Sequence, residues 1–508
     1  MRSYLQHPFR GNTRLGRFIF VLLFIGLVSP GIITWHRYVP LYDDAYLLHR
    51  AICVDRAVYK LSLEQVHECF QNVDRSPILT LLALPWGKLA TSNPGVGLIV
   101  FSLAIITWIF VFLTLKILLR LEIPKYFILL AALYEYLNPT FANWWVGAYL
   151  ADGLLSWVVL ATILLIPLEM RAPPVGKKDL LTRGALWGLL ASVGILTKVT
   201  FGYFAALVFP LLFYITWRRS GWITTLRALS VCVLVSVPAI AFWSVYGAQF
   251  LNHATSSAWG NFAENWKVVS GPMAKFARYA EAAGVASGIV LASIVLAVAV
   301  QQWRRRSNWT DWAPLAIVLG YVGIALTSPN DALRLLVPAT LSLPFSILPL
   351  LKTHAPQDSR WPISGLLVPI FLSVPMIVQV DTSASGQIEP LLKFLSERDI
   401  RNIVLAGDRN EMNRETFLLA QQLGGEQVSA LKISTVVYDS AIGIPPELSF
   451  QKLRNADAVI IIPPPTDSPF AMIHLQEFEN LAEKIGRRLE GVGPNFLNVF
   501  VVSASGSD

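Results

Sequence analysis

At 508 residues, 54% of them apolar and only 15% charged, the chain has a mean hydropathy of +0.53, which excludes a soluble globular protein. Aromatic residues at 11% and only 3 cysteines also exclude a disordered chain and a disulfide-dense secreted scaffold. The net charge of +8 fits either nucleic acid or loops facing an anionic leaflet, so the distribution of the basic residues has to decide.

A run of about 17 to 25 apolar residues crosses a hydrocarbon layer of about 30 Å. The first such run, 18–35, follows Arg2, Arg10, Arg14 and Arg17 and precedes no small-residue cleavage site. It reads as an uncleaved span with a cytoplasmic N-terminus. Further runs at 96–118, 126–143, 148–167, 184–197, 201–216, 228–248, 281–301, 312–327, 332–351 and 362–380 bring the expectation to about eleven spans. If each run crosses once, one side collects Arg120 and Lys125, then Arg171, Lys177, Lys178 and Arg183, then Arg218, Arg219 and Arg227, then Arg304, Arg305 and Arg306, then Lys352 and Arg360. Basic clusters on alternate loops are the positive-inside pattern, and they remove the argument for nucleic acid. The loop 36–93 and everything after 380 then fall outside.

Beyond residue 380 the composition turns polar. Helices are expected at 388–397, 413–423 and 471–489, with strands at 402–406, 456–462 and 496–502. This predicts a C-terminal extracytoplasmic α/β domain over 381–508, attached to a transmembrane domain over 1–380. Cys53 and Cys69 share the first outer loop, where an oxidising compartment permits either a bridge or two separate thiols. Cys232 sits alone within a span.

Just past the first span stands Pro40-Leu41-Tyr42-Asp43-Asp44-Ala45-Tyr46. Neighbouring side chains diverge on a helix or strand, so two adjacent carboxylates do not share a proton; one can face a substrate while the other fixes the loop. A solvated pair or a helix N-cap is the plain alternative. The same loop holds Asp74-Arg75-Ser76-Pro77, followed by an apolar stretch broken by Pro85 that suits the membrane interface. Asp152, Lys198 and Arg334 lie at the outer ends of later spans, where an ionisable group is costly unless paired, snorkelled or in a watery cavity. Each has a simpler reading: Asp152 as a helix cap, Lys198 as a snorkelling side chain, Arg334 as a loop charge. His36, His49 and His67 share the loop with carboxylates but lack metal-ligand spacing, so neither a metal nor another cofactor is expected.

Asp43-Asp44 with Tyr46, Arg75-Ser76-Pro77-Ile78, Leu150-Ala151-Asp152 and the segment Gly188 to Lys198 together resemble the GT-C membrane glycosyltransferases. The likeness is to the branch of the protein O-mannosyltransferases and lipid A aminoarabinose transferases, and it covers roughly residues 15–350. It implies a polyprenyl-phosphate sugar donor and a lipid, glycan or protein acceptor at the outer face of the cytoplasmic membrane. It further implies Asp43 as the general base beside Asp44, with Arg75, Lys198 and Arg334 on the donor phosphate and Tyr46 and Asp152 lining the cavity. Where the family has an Asp-Glu pair this chain has Asp43-Asp44, and Ser76 replaces a common proline. One displacement with one base would invert the anomeric centre. A transporter or lipid flippase is the rival, but it calls for ionisable residues near mid-membrane and broken spans repeated in two halves. A non-catalytic assembly protein that binds a partner through its outer α/β domain is a third reading.

Overall fold

The computed structural model describes residues 42–71, 77–83, 93–138, 151–171, 177–259, 263, 271–304, 307–330, 335–351, 388–409, 412–423, 425–437, 439, 444–463, 474–489 and 497–502. The expected spans 18–35 and 362–380 lie outside these residues.

In hydrocarbon a backbone N–H finds no water, so a long apolar run satisfies itself as a helix. Among the described residues six helices are long and apolar enough to cross a membrane: Asp152–Arg171, Asp179–Thr197, Phe201–Ser220, Trp222–Ser256, Val285–Trp303 and Trp309–Thr327. The chain is an integral membrane protein. Asn93–Arg120 forms a further helix of 28 residues, and Lys125–Leu137 and Val337–Ile347 form shorter apolar ones. The run at 228–248 extends on both sides into the 38-residue helix Trp222–Trp259. The run at 281–301 begins later, at Val285, because Gly284 (φ +80°) turns the chain out of a separate amphipathic helix, Pro272–Ala283.

Helix ends sort by charge. The Arg171 guanidinium donates to the carbonyls of Leu121 (2.5 Å) and Pro349 (2.7 Å) and to the Asp311 carboxylate (2.9 Å). Arg183 donates to Glu169 at 2.5 Å and to Asp179 at 3.2 Å. Five helix termini are thus drawn to one end of the bundle, where the buried Arg183 and the part-buried Arg171 are paired, as burial of a charge requires. Helices that end or begin here run antiparallel, which carries Asp152, Lys198 and Ser328 to the opposite end.

Close packing fixes the registry between the Lys177–Thr197 and Trp222–Trp259 helices. A Cβ on Gly184 would stand 2.4 Å from the Ala228 carbonyl oxygen, and one on Gly188 would stand 2.5 Å from that of Cys232. Glycines four residues apart let two backbones touch, the small-residue packing that replaces hydrophobic driving force within lipid. Ser236 Oγ seals the contact by donating to the Gly188 carbonyl at 3.3 Å.

Before the first described span, helices Tyr42–Tyr59 and Leu63–Gln71 form a hairpin joined by a disulfide between Cys53 and Cys69, whose Cα atoms are 5.9 Å apart. Residues 388–502 hold a five-stranded sheet in the order β2-β1-β3-β5-β4, with β1 (Asn402–Gly407), β2 (Lys432–Thr435), β3 (Ala458–Ile462), β4 (Gly486–Leu489) and β5 (Asn498–Val502). β1 runs parallel to β2 and β3; β5 runs antiparallel to β3 and β4. The helix expected at 471–489 is shorter, Leu475–Ile485. Its last residues leave the helix at Gly486 and become β4, since pairing with β5 satisfies their backbone groups at the sheet edge. The helix Arg414–Leu423 lies against the Tyr42–Tyr59 helix: Arg56 donates to the Gln422 carbonyl at 3.3 Å, and Leu419 joins the buried cluster that includes Ala51 and Ile52.

Candidate functional site

The end of the bundle opposite the paired arginines carries the polar residues that interrupt the apolar runs. Asp152 occupies the first turn of the Ala151–Arg171 helix, and Lys198 follows the last residue of the Lys177–Thr197 helix. Their placement is local in origin. The Lys198 N–H still bonds to the Gly194 carbonyl at 3.1 Å, closing the helix, while the Phe201 N–H takes up the Lys198 carbonyl at 3.0 Å and starts the next. The turn is that tight because the Phe201 ring lies where a Gly194 Cβ would be, 2.5 Å from its ring atoms.

From this turn the Lys198 Nζ donates to Asp152 Oδ1 at 2.6 Å. Two residues 46 positions apart, each expected at the outer end of its own span, are therefore one ion pair. The carboxylate is buried and the ammonium partly open. Tyr321 lies within electrostatic reach of both Asp152 and Tyr279, and its hydroxyl donates to the Leu335 carbonyl at 2.8 Å. The rings of Tyr203 and Phe204 pack beside it at 5.7 and 4.9 Å.

The Pro272–Ala283 helix closes this cluster. Its buried Lys275 donates to the Ser328 carbonyl, and Ser328 Oγ in turn donates to the Ala258 carbonyl, which ties the ends of the Trp309–Thr327 and Trp222–Trp259 helices together. One turn on are Arg278, whose buried Nη1 has no hydrogen-bond partner among the described residues, and the buried Tyr279. A half-buried guanidinium with a free N–H is a donor awaiting an acceptor. Lys275, Arg278 and Tyr279 escaped the sequence reading; the signal was present as cationic and aromatic residues at i, i+3 and i+4 between Gly271 and Gly284.

The other expected site residues divide in two. Asp43, Asp44 and Tyr46 stand in the first turns of the Tyr42–Tyr59 helix. Arg75 and Arg334 lie outside the described residues. Further along the first helix, His49 has a buried Nδ1 without a partner among the described residues. Burial first, and then the neighbouring Arg50, Arg414 and Arg56, push its pKa down to about 3, so the ring is neutral. No group of three His, Cys, Asp or Glu that could hold a metal ion occurs among the described residues.

No protein-family model matches the chain, and no curated protein matches it. Among solved structures it is similar to the crystal structure of ArnT from Cupriavidus metallidurans bound to undecaprenyl phosphate, at 12% identity and a TM-score of 0.46, with 96% of this chain and 98% of that chain covered. By its own residues this is a helical membrane protein with a paired carboxylate and ammonium, a further lysine and an arginine whose Nη1 lacks a partner among the described residues, gathered at one end of the bundle.

Proposed function

We propose that the protein is a membrane glycosyltransferase that moves a sugar from a polyprenyl-phosphate donor to a lipid, glycan or protein acceptor. The observation that carries this reading is the Lys198–Asp152 pair, at the same end of the bundle as Arg278, whose Nη1 has no acceptor among the described residues. A phosphate leaving group gains negative charge as its bond to the anomeric carbon breaks. Fixed cations in a site partly shielded from water stabilise that charge. Lys198 keeps two ammonium protons after binding Asp152, and Arg278 adds a planar guanidinium suited to phosphate oxygens. The same reading assigns Arg75 and Arg334 to the donor phosphate and Tyr46 to the substrate cavity, as the family resemblance implies.

The acceptor hydroxyl attacks the anomeric carbon as the bond to phosphate breaks. The bonding pair leaves on the phosphate, and the hydroxyl proton passes to Asp43, with Asp44 beside it. One displacement inverts the anomeric centre and needs no metal or enzyme nucleophile. In this reading the paired arginines mark the cytoplasmic side, and the site and the 381–508 domain face outward from the cytoplasmic membrane. Lipid-borne sugar is the donor there because nucleotide sugars stay inside.

The test is transfer by the full-length protein in nanodiscs, supplied with a panel of polyprenyl-phosphate sugars and read as release of polyprenyl phosphate. Activity that falls in Arg278→Ala with a raised donor KM supports the assignment. Absence of turnover with every donor, together with substrate flux across proteoliposomes, would put a transporter in its place.

A further inference from the structure

The helix Tyr42–Tyr59, whose first turn carries Asp43 and Asp44, is packed from two sides, and both contacts fall beyond that turn. From the bundle side, Ala51 and Ile52 are buried in one cluster with Ile78 and Leu79 of the helix Pro77–Ala83. From the other side, the same cluster takes in Leu419 of the helix Arg414–Leu423, a residue of the C-terminal domain. The disulfide at Cys53 ties the hairpin to itself but does not set its angle to the bundle. We propose, resting on the transferase reading above, that the C-terminal domain sets this angle for catalysis. The helix Arg414–Leu423 is a splint that holds the Asp43 end where it meets the acceptor hydroxyl, and Leu419 is the positioning residue.

The two helices run side by side in the same direction. Arg414 lies within electrostatic reach of His49, and further along Arg56 donates to the Gln422 carbonyl at 3.3 Å. On the first helix His49, Ile52 and Arg56 share a face at i, i+3 and i+7, and on the second Glu415, Leu419 and Gln422 share one at i, i+4 and i+7. Glu415 and Leu419 are buried there although both belong to a helix on the outside of its own sheet. The flanks of the contact hold weakly, since His49 Nδ1 and Gln422 Oε1 are buried without a hydrogen-bond partner among the described residues and the Arg56 bond is exposed. Leu419, between them, is the anchor.

A splint must itself be stiff, and this one is fixed to its sheet at both ends and in the middle. Phe417, about 200° around the helix from Leu419, is buried in the domain core with Ile403 and Leu405 of β1. At the start, Asn413 Oδ1 accepts from the N–H groups of Glu415 and Thr416 at 3.0 Å each, and the Asn413 N–H donates to Thr416 Oγ1 at 2.9 Å. Near the end, Gln421 Nε2 donates to the Ser429 carbonyl at 3.1 Å and to that of Leu431. β1 in turn lies between β2 and β3. Leu419 therefore moves only as the whole domain moves. From Ile52 back to Asp43 is about 13 Å of helix, so a tilt of roughly 10° at the contact carries the aspartates about 2 Å. A misplacement of about 1 Å is enough to cost roughly 10²-fold in rate, so a lost grip at Leu419 registers in turnover before it registers in donor binding.

The test uses the full chain in nanodiscs with the polyprenyl-phosphate sugar that the parent turns over best, and rates are counted per donor-binding site so that unfolded protein drops out. Leu419→Ala should lower kcat roughly tenfold or more with donor KM within about twofold of the parent, and Leu419→Met, which refills the volume, should bring kcat back to within about threefold. Pulsed EPR between labels at Ala45→Cys and Leu319→Cys, in a Cys232→Ser background with the Cys53–Cys69 bridge intact, reads the geometry directly. The distance distribution should broaden or shift by about 2 Å in Leu419→Ala and return in Leu419→Met. If Leu419→Ala does not fold, Arg56→Ala removes the exposed contact of the same face and should lower kcat about threefold with donor KM kept. Parental kcat per site in the folded variant, an unmoved distance distribution, or a fall in kcat matched by an equal rise in donor KM overturns the positioning role and leaves the transferase reading standing. A parent that turns over no donor overturns the transferase reading, and the positioning role falls with it.

Discussion

Consider the removal of each partner from the Lys198–Asp152 pair. The side chain of Asp152 is 5% exposed and that of Lys198 is 27% exposed, so the two losses are unequal. Lys198→Met strands a carboxylate in a nearly closed site, where an unpaired buried charge costs about 3 kcal/mol. Asp152→Asn leaves an amide oxygen that can still accept from the ammonium, and that ammonium reaches water, so the loss should be about 1 kcal/mol. Replacing both, as Asp152→Asn with Lys198→Met, removes the stranded charge, so the double variant should lose only about 1 kcal/mol and the double-mutant cycle should return a coupling of about 3 kcal/mol. Thermal or denaturant unfolding in detergent measures these three numbers. Transfer of sugar separates stability from function: the double variant should fold nearly as well as the parent yet bind polyprenyl-phosphate donor more weakly, because the phosphate has lost its ammonium partner. Additive stability losses would refute the pair as a coupled unit. Parental turnover in the well-folded double variant would remove Lys198 from the donor site and leave the pair with a purely structural role.

Other expectations follow from single contacts. Asp43→Asn keeps shape but removes a proton acceptor, so turnover should fall by roughly 10² or more with donor binding kept; parental turnover in this variant and in Asp44→Asn would return both to helix capping. Because the folded-state pKa of His49 is about 3 against 6.5 for the free side chain, the unfolded chain binds a proton that the folded one refuses between those values. Stability should therefore rise with pH from about 3 to about 6.5, by at most about 5 kcal/mol from linkage. Hydrogen exchange of residues 42–59 and 414–423 reads it, and a His49→Leu variant with the same pH slope would count against the assignment. Replacing Cys53 and Cys69 by serine should cost the hairpin about 3 kcal/mol in the chain-entropy account of a closed loop of this size, seen as faster exchange of residues 63–71. Gly188→Val forces a side chain onto the Cys232 carbonyl and should lower stability by roughly 1 to 3 kcal/mol, with an unchanged unfolding midpoint speaking against the close helix contact.

The helices were legible because hydrocarbon leaves the backbone one economical option, and long apolar runs therefore read as helix. Helix limits were less so. Nothing in the apolar run at 228–248 says that the helix Trp222–Trp259 continues past it, since its last turns are met by the hairpin, through Gln249 and the Phe70 carbonyl. In the tail, buried strands such as Ala458–Ile462 announce themselves as unbroken β-branched runs. β2 and β4, four residues each at the two edges of the sheet, carry no such run. They exist through pairing with β1 and β5, a long-range contact that local pattern does not encode.

The site was legible to the extent that cost is legible. An ionisable side chain at the end of an apolar run must be compensated, and that rule selected Asp152 and Lys198, together with Arg334, which lies outside the described residues. It could not pair them, because the pairing is made by distant contacts: Gly184 and Gly188 let the Lys177–Thr197 helix settle against Ala228 and Cys232, Gly194 makes room for Phe201, and only then does the turn aim Lys198 at the helix that carries Asp152. Lys275 and Arg278 escaped the same rule because their short amphipathic helix is not an apolar run, so nothing in local hydropathy marks their charges as costly. Their burial arises when that helix folds over the ends of two spanning helices through Lys275 and Ser328. A cation buried by tertiary folding is visible only once the helices are assembled. For Arg278 no described residue offers an acceptor to Nη1, and that donor is the reason to seek a phosphate there rather than another structural ion pair.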